Sequence, residues 1–286
     1  MKKILYLFAA LAMISMAVSC SDDDEPKRGD GVLISNTPMI NHMVNMSNGQ
    51  VLGVTSTHNK LTFDTAKHTA SLELHYLDGA TEKTLKLDGI TAIPKRLGYY
   101  ELDWKSDPSF KGYIDLFEGP SMRYVYQTPE GILITSTLPD IFFKNTESII
   151  TYDDTTKSNK SESTMYVFTI NPEYQTATIE VEDITHAKDM RKFINITANS
   201  VPYTVTKNGF SINAENLKTT ARYETHSGSG GASSKAETDK YPFKTFNATI
   251  DLSAYQLEDS LSATYMIGGS ASVTAKGRTY PNYSRN

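Results

Sequence analysis

The feature that most limits what this chain can fold into is that it repeats itself. Residues 61–74, LTFDTAKHTASLEL, align without gaps on residues 168–181, FTINPEYQTATIEV, at an offset of 107. Thr62/Thr169, Thr69/Thr176, Ala70/Ala177 and Glu73/Glu180 are identical, and Asp64 answers Asn171 where each copy turns. Both stretches read as strand, five-residue turn, strand. Further on, Ile93-Pro94 answers Val201-Pro202, Gly98-Tyr99 answers Gly209-Phe210, and FKGYIDL from Phe110 answers FNATIDL from Phe246. The offset there has grown to 136, so the second copy carries about 29 extra residues, most of them between Thr219 and Lys244. Matching blocks in the same order predict a duplicated unit.

Each copy is β by pattern. Leu72, Leu74 and Tyr76 alternate with Ser71, Glu73 and His75, and Leu261, Ala263, Tyr265 and Ile267 alternate with Ser262, Thr264 and Met266. One apolar and one wet face per strand is the requirement of an antiparallel sheet. Asp78-Gly79, Asp88-Gly89, Glu130-Gly131 and Asn208-Gly209 supply the turns. No stretch beyond residue 31 holds a helical period for long. The pattern predicts an all-β chain of two tandem related antiparallel units, residues 32–138 and 139–286, each a small barrel or sandwich. The two are either separate or packed as one pseudo-symmetric body. Within the second, the Gly/Ser-rich residues 226–235, HSGSGGASSK, read as a linker with nothing to bury, and residues 153–163 as a polar loop.

The first 31 residues read as an address. Lys2 and Lys3 precede a 14-residue apolar run, Ile4–Ala17, broken only by Ser15. That is short of the roughly 20 residues a bilayer span needs and fits a secretory signal. Ala17-Val18-Ser19 then leads into Cys20, the only cysteine in the chain. This segment resembles a lipoprotein signal, which implies cleavage after residue 19 and acylation of Cys20. Ser21-Asp22-Asp23-Asp24-Glu25 resembles the acidic export signal with which Bacteroidetes-type bacteria place lipoproteins on the outer face of the outer membrane. Residues 20–31 then form a flexible acidic tether. The order of signals in the second unit (the TATIEV strand, Gly209-Phe210, the IDL strand and the closing SASVTAKG, residues 270–277) resembles the calycin-like, lipocalin-like domains of such lipoproteins. That resemblance implies a fold and no activity.

Composition narrows the chemistry. A net charge of −5 with no dense basic stretch speaks against nucleic acid as a partner. A single cysteine excludes a disulfide framework and any multi-thiolate metal site. Six histidines occur, at 42, 58, 68, 75, 186 and 226, with no pair at helical metal spacing. His58, His68 and His75 fit the wet face of a sheet better than a zinc site, so no metal and no cofactor is expected. No nucleophile elbow or phosphate loop is present.

The one promising constellation is GYYELDW, residues 98–104. Alternation puts Tyr99, Glu101 and Asp103 on one face and Tyr100, Leu102 and Trp104 on the other. Carboxylates beside aromatics suit a glycan, because sugar rings stack on aromatic faces, and Tyr113, Phe117, Tyr124 and Tyr126 could widen such a surface. Asp64-Thr65-Ala66, Asp154-Thr155-Thr156 and Asp259-Ser260-Leu261 resemble a short O-glycosylation sequon of these bacteria. The reading is therefore a protein held to the outer membrane by lipid at Cys20, presenting a non-enzymatic binding or scaffold module. Tyr99, Glu101, Asp103 and Trp104 are the candidate contacts for a glycan, a small amphipathic molecule or a protein. The alternatives are a glycan-active hydrolase using the carboxylates near Glu101, or a structural accessory of a surface complex.

Overall fold

The computed structural model describes residues 32–277 except 97, 116–120, 153–157, 185–192, 227–231, 253–260 and 269–270. Cys20 with its signal and tether, His186, Phe117, Asp154-Thr155-Thr156, Asp259-Ser260, Ser270 and residues 227–231 of the Gly/Ser run lie outside the described residues. Every described element is a strand, and the chain divides into two compact units between Leu138 and Pro139.

The first unit is a closed barrel of eight antiparallel strands joined in sequence order. These are β1 (Val32–Asn45), β2 (Val51–Asp64), β3 (Thr69–Asp78), β4 (Thr81–Arg96), β5 (Tyr99–Asp103), β6 (Lys111–Asp115), β7 (Ser121–Gln127) and β8 (Ile132–Thr137). Pairing of Ile40–Asn45 with Ile132–Thr137 shuts it. An eight-stranded barrel is just wide enough for its side chains to fill it. Here Leu61, Phe63, Leu72, Leu74, Leu87, Ile90, Leu102, Phe110, Tyr124 and Ile134 do so.

The alternation expected from the sequence holds in β3, where Ala70, Leu72, Leu74 and Tyr76 are buried in turn. It fails in β1 and β8. Met39 through Val44 are buried without a break, as are Ile134 through Thr137, so both faces of these strands are shielded. Period-2 reading misses this because the second face is built from His42, Thr135 and Thr137, whose polarity reads as wet.

The second unit is one eleven-stranded sheet. Its strands are β9 (Asp140–Tyr152), β10 (Ser158–Asn171), β11 (Thr176–Glu182), β12 (Phe193–Pro202), β13 (Thr204–Thr206), β14 (Gly209–Leu217), β15 (Thr220–His226), β16 (Ala232–Thr238), β17 (Phe243–Asp251), β18 (Leu261–Ile267) and β19 (Ala271–Gly277). Their order is β13-β14-β17-β18-β19-β9-β10-β11-β12-β15-β16. The sheet curls until β12 runs beside β14. Its core holds an aromatic cluster: Phe243 and Phe246 each pack on Tyr265, and Phe168 on Phe246, with centroids 5.3–6.4 Å apart.

The duplication is visible in detail. Asp64 Oδ1 accepts hydrogen bonds from the Ala66 and Lys67 amides (3.1 and 2.9 Å), and Asn171 Oδ1 accepts from Glu173 and Tyr174 (3.1 and 3.3 Å). His68 and Gln175, again 107 apart, end these turns at φ 52° and 50°. The register carries the match around both units. Met39 pairs with Thr57 as Thr146 pairs with Thr164, and Gly112 pairs with Tyr124 as Ala248 pairs with Ala263.

Two expectations need correcting. The Gly/Ser-rich insertion is not a linker: β15 and β16 form a hairpin from Thr220↔Thr238 to His226↔Ala232, added at the edge of β12. A polar two-stranded ribbon needs only backbone pairing, which composition does not reveal. Residues 158–163 are likewise the start of β10 and not loop.

Candidate functional site

An up-and-down barrel gathers alternate turns at one end. In the first unit the β1–β2, β3–β4 and β7–β8 turns and the longer segment 104–110 meet there, and the Met46 amide donates to the Gly131 carbonyl at 2.9 Å. Trp104, at the mouth of the longer segment, packs half-buried on the core. Its ring meets Phe110 and Tyr126 edge-on at 6.5 and 6.0 Å. Its Nε1–H donates to the Asp88 carbonyl at 2.8 Å. The β4–β5 ladder begins only at Thr91↔Asp103, so the indole satisfies a β4 carbonyl that lies past the end of that ladder.

Around it stand two phenols with carboxylates. Tyr76 OH donates to Glu130 Oε2 at 3.4 Å. Lys83 Nζ lies 2.6 Å from Asp78 Oδ2 and 3.4 Å from Glu130 Oε1, strapping the β3–β4 turn to the β7–β8 turn. Burial first, then the Glu130 charge, pushes the Tyr76 phenol up. Burial first, then the charge of Asp107, does the same to Tyr126. Glu130 is held below the usual carboxylate range by its own backbone amide and then by the Thr128 hydroxyl. Sequence reasoning passed over Tyr76, Lys83, Asp107 and Glu130. The signal available was a tyrosine at the last apolar position of β3, where its hydroxyl must leave the core to find a partner.

The four residues chosen from sequence are divided by the barrel wall. Tyr100, Leu102 and Trp104 face inward, as alternation predicts. Glu101 and Asp103 sit on the outer wall, each beside a lysine of a neighbouring strand: Lys95 Nζ at 3.0 Å and Lys111 Nζ at 3.4 Å. Tyr99 is not on a wet face as expected. It is completely buried and stacks on Tyr113 at 5.8 Å, so a glycan cannot meet Tyr99 and Trp104 together. Of the widening aromatics, Tyr113 is buried outside the barrel and Tyr124 within it, and Tyr126 alone joins Trp104.

His58 and His68 are exposed and apart from His75 in the ladder. His75 instead lies 3.3 Å from Glu73 and 3.7 Å from Glu82. Among the described residues no group of three or more His, Cys, Asp or Glu is placed to hold a metal. No described helix is long and apolar enough to cross a membrane. In the turn Asp64-Thr65-Ala66, the Asp64 carboxylate is engaged with the turn amides and with Lys67 Nζ at 2.9 Å.

Deeper in each unit lies a polar cluster at matching positions. In the first, Asn59 Nδ2 donates to Ser136 Oγ at 3.0 Å, and Tyr124 OH points at Met39 Sδ at 3.3 Å. The β2–β3 ladder stops at Lys60↔Glu73. Beyond it the His75 amide donates to Asn59 Oδ1 at 2.9 Å, and Asn41 Nδ2 donates to the His75 carbonyl at 2.7 Å. In the second, Ser148, Tyr166 and Tyr265 form a chain of hydroxyls at 3.0 and 3.1 Å. Burial pushes the Tyr166 phenol up to about 12 and raises the Tyr124 and Tyr265 phenols as well.

No family model and no curated protein matches this chain. Among solved structures, a Bacteroides fragilis protein described as a "putative outer membrane protein" aligns over 88% of this chain and 98% of its own, at 13% identity and a TM-score of 0.29. A likeness of that size carries no argument about fold or function.

Proposed function

We propose that this chain is a lipoprotein of the outer membrane, displayed at the cell surface through acylated Cys20, and that it acts there as a non-enzymatic binding module. The observation that supports the location is the lone cysteine closing a short apolar run behind two lysines, with an acidic tether after it. Acyl chains each contribute about 0.8 kcal/mol per buried methylene, and several together anchor a protein stably. The fold family that best suits the two units is the calycin-like one.

The binding reading rests on the Trp104 end of the first barrel. The half-buried Trp104 indole is the ring open at this end, with the buried Tyr126 and Tyr76 packed behind it and Glu130 and Asp107 at the edge, so an apolar ring face stands beside hydrogen-bonding groups. That combination suits a neutral glycan in preference to an ion. The hydrolase alternative loses its support, since Glu101 and Asp103 face away from this end and each lies beside a lysine.

Two experiments test the proposal. Labelled palmitate should enter the wild-type protein and fail to enter Cys20→Ala; equal labelling of both would end the lipoprotein reading. A glycan array probed with the mature chain should show hits that Trp104→Ala weakens at least tenfold and Tyr99→Phe leaves alone. An empty array, or hits indifferent to Trp104, would refute glycan binding at this end.

A further inference from the structure

A count of hydrogen bonds inside the first barrel does not close on side chains alone. Asn41, Asn59, Tyr124 and Ser136 are each at most 1% exposed, and a buried polar atom without a partner costs on the order of 1–3 kcal/mol. Asn41 sits on the inward side of β1 between Met39 and Met43, opposite Ser136 in the ladder. Its orientation is set by chemistry: Nδ2 lies 2.7 Å from the His75 carbonyl, which can only accept. Its Oδ1 is thus an acceptor, completely buried, with no hydrogen-bond partner.

The neighbouring donors are only partly served: Asn59 Nδ2 gives one hydrogen bond to Ser136 Oγ at 3.0 Å, and the Tyr124 hydroxyl bonds with Ser136 and Asn59. Tyr124 OH (3.3 Å), Ser136 Oγ (3.9 Å) and Asn59 Nδ2 (3.9 Å) converge on Met39 Sδ, and a thioether is a weak acceptor. The curled sheet of the second unit is the internal control. There Asn41 becomes Ser148, Asn59 becomes Tyr166, Ser136 becomes Ala275, Tyr124 becomes Ala263 and Met39 becomes Thr146. Its hydroxyls satisfy one another in the chain Ser148–Tyr166–Tyr265.

We propose that the interior of the first barrel is a binding site for a hydroxyl, donated to Asn41 Oδ1 and accepting from the donors grouped around Met39, and that the second unit has no such site. A hydroxyl resolves both mismatches because it gives one hydrogen bond and takes others. No charged side chain belongs to the cluster, so an ion would be buried uncompensated and is excluded. The hydroxyl is that of a water molecule or of a small neutral molecule. The inference is independent of the lipid anchor and of the Trp104 end.

A crystal structure of the mature chain, at a resolution that shows ordered waters, tests it, together with mass spectrometry of the protein sprayed from a non-denaturing buffer. The expected result is density within hydrogen-bonding distance of Asn41 Oδ1 and none added to the Ser148–Tyr166–Tyr265 chain. An isolated peak with an unshifted mass identifies water. Extended density, with an added mass that disappears on denaturation, identifies a small molecule. In Asn41→Ser, which installs the side chain of the second copy, the density should vanish. An empty Asn41 site, an equal peak beside Tyr166, or density that survives Asn41→Ser would each overturn the proposal.

Discussion

The closed barrel and the curled sheet start from the same strand plan and differ at one seam. In the first, β4 passes directly to β5 and the pair is laddered from Thr91↔Asp103 to Arg96↔Tyr99. In the second, the matching strands β12 and β14 run side by side, while β12 spends its free edge on β15 and β14 takes the short β13. Most of the extra residues of the second copy enter between β14 and β17, the counterparts of β5 and β6, and fold back as β15 and β16 onto the free edge of β12. An insertion there replaces one set of backbone hydrogen bonds with another and leaves the inward-facing positions untouched. A duplicated unit tolerates growth at a seam far better than within a strand, where one added residue would turn every later side chain to the other face.

The glycine at that seam gives the largest expected effect. Gly98 and Gly209 occupy matching places at the start of β5 and β14, with φ of 76° and 147°. A Cβ on Gly209 would lie 2.3 Å from the Ile250 carbonyl oxygen, which belongs to the β17 backbone and cannot swing aside. Gly209→Ala should destabilise by about 3 kcal/mol or more, from combined strain and overlap. Gly98→Ala carries the left-handed backbone penalty of about 1 kcal/mol. Urea unfolding of both variants would show it, and equal losses would mean the seams are not built as described.

Next in size is the position where the copies choose different side chains for one layer. Gly112 lies under Tyr124, and its counterpart Ala248 lies under Ala263. A Cβ at Gly112 would come 3.0 Å from Tyr124 Cβ and 3.1 Å from the Arg123 carbonyl oxygen. Gly112→Ala should cost about 1–3 kcal/mol. Tyr124→Ala keeps the Cβ that Gly112→Ala would press on, so the two losses should add to within about 0.5 kcal/mol in the double variant. A favourable coupling well beyond that would mean that the tyrosine ring, and not its Cβ, is what Gly112 makes room for.

How much of this was legible depends on which contacts carry it. The turns at Asp64 and Asn171 and the glycines at 98 and 209 are local, so residue type at fixed spacing revealed them. The matching of β6 with β17 rested on four shared residues, Phe, Ile, Asp and Leu, at constant spacing. The Trp104 end was only half legible. Tyr76 and Glu130 are 54 residues apart, and nothing in a single strand says that barrel closure will bring their turns together. Tyr99 was misread because alternation assigns a face and cannot tell whether that face meets water. The hairpin of β15 and β16 escaped because Ser, Ala and Lys make a strand there through pairing alone.

The tyrosines offer a smaller, pH-dependent contrast. Tyr166 is pushed up to about 12 by burial, against an ordinary value of 10. A phenol with a raised value in the folded state favours folding fully below pH 10, and that contribution fades as the pH climbs towards 12. Ultraviolet titration should show Tyr124, Tyr166 and Tyr265 staying protonated well above pH 10 and ionising only as the protein unfolds. Tyr166→Phe should cost about 1 kcal/mol at neutral pH and lift part of the alkaline sensitivity. Complete ionisation of all tyrosines near pH 10 would contradict the sealed interiors.

The smallest effect separates the two matching turns by charge alone. Asp64 and Asn171 make the same pair of bonds to turn amides, but only Asp64 can titrate. Its carboxyl is held below the ordinary value of 3.8, first by the Lys67 amide and then by the Lys67 side chain. A carboxylate depressed in the folded state supports folding above its ordinary value, and that support is lost as the pH falls through the depressed one. Acid should therefore loosen the first turn and spare the second. Amide exchange followed by NMR below pH 4 should quicken at Ala66 and Lys67 relative to Tyr174, beyond the intrinsic pH dependence of exchange. Asp64→Asn, which copies the second turn into the first, should abolish the difference. If the two turns keep pace in the wild-type protein, the carboxylate is not what holds the first one closed.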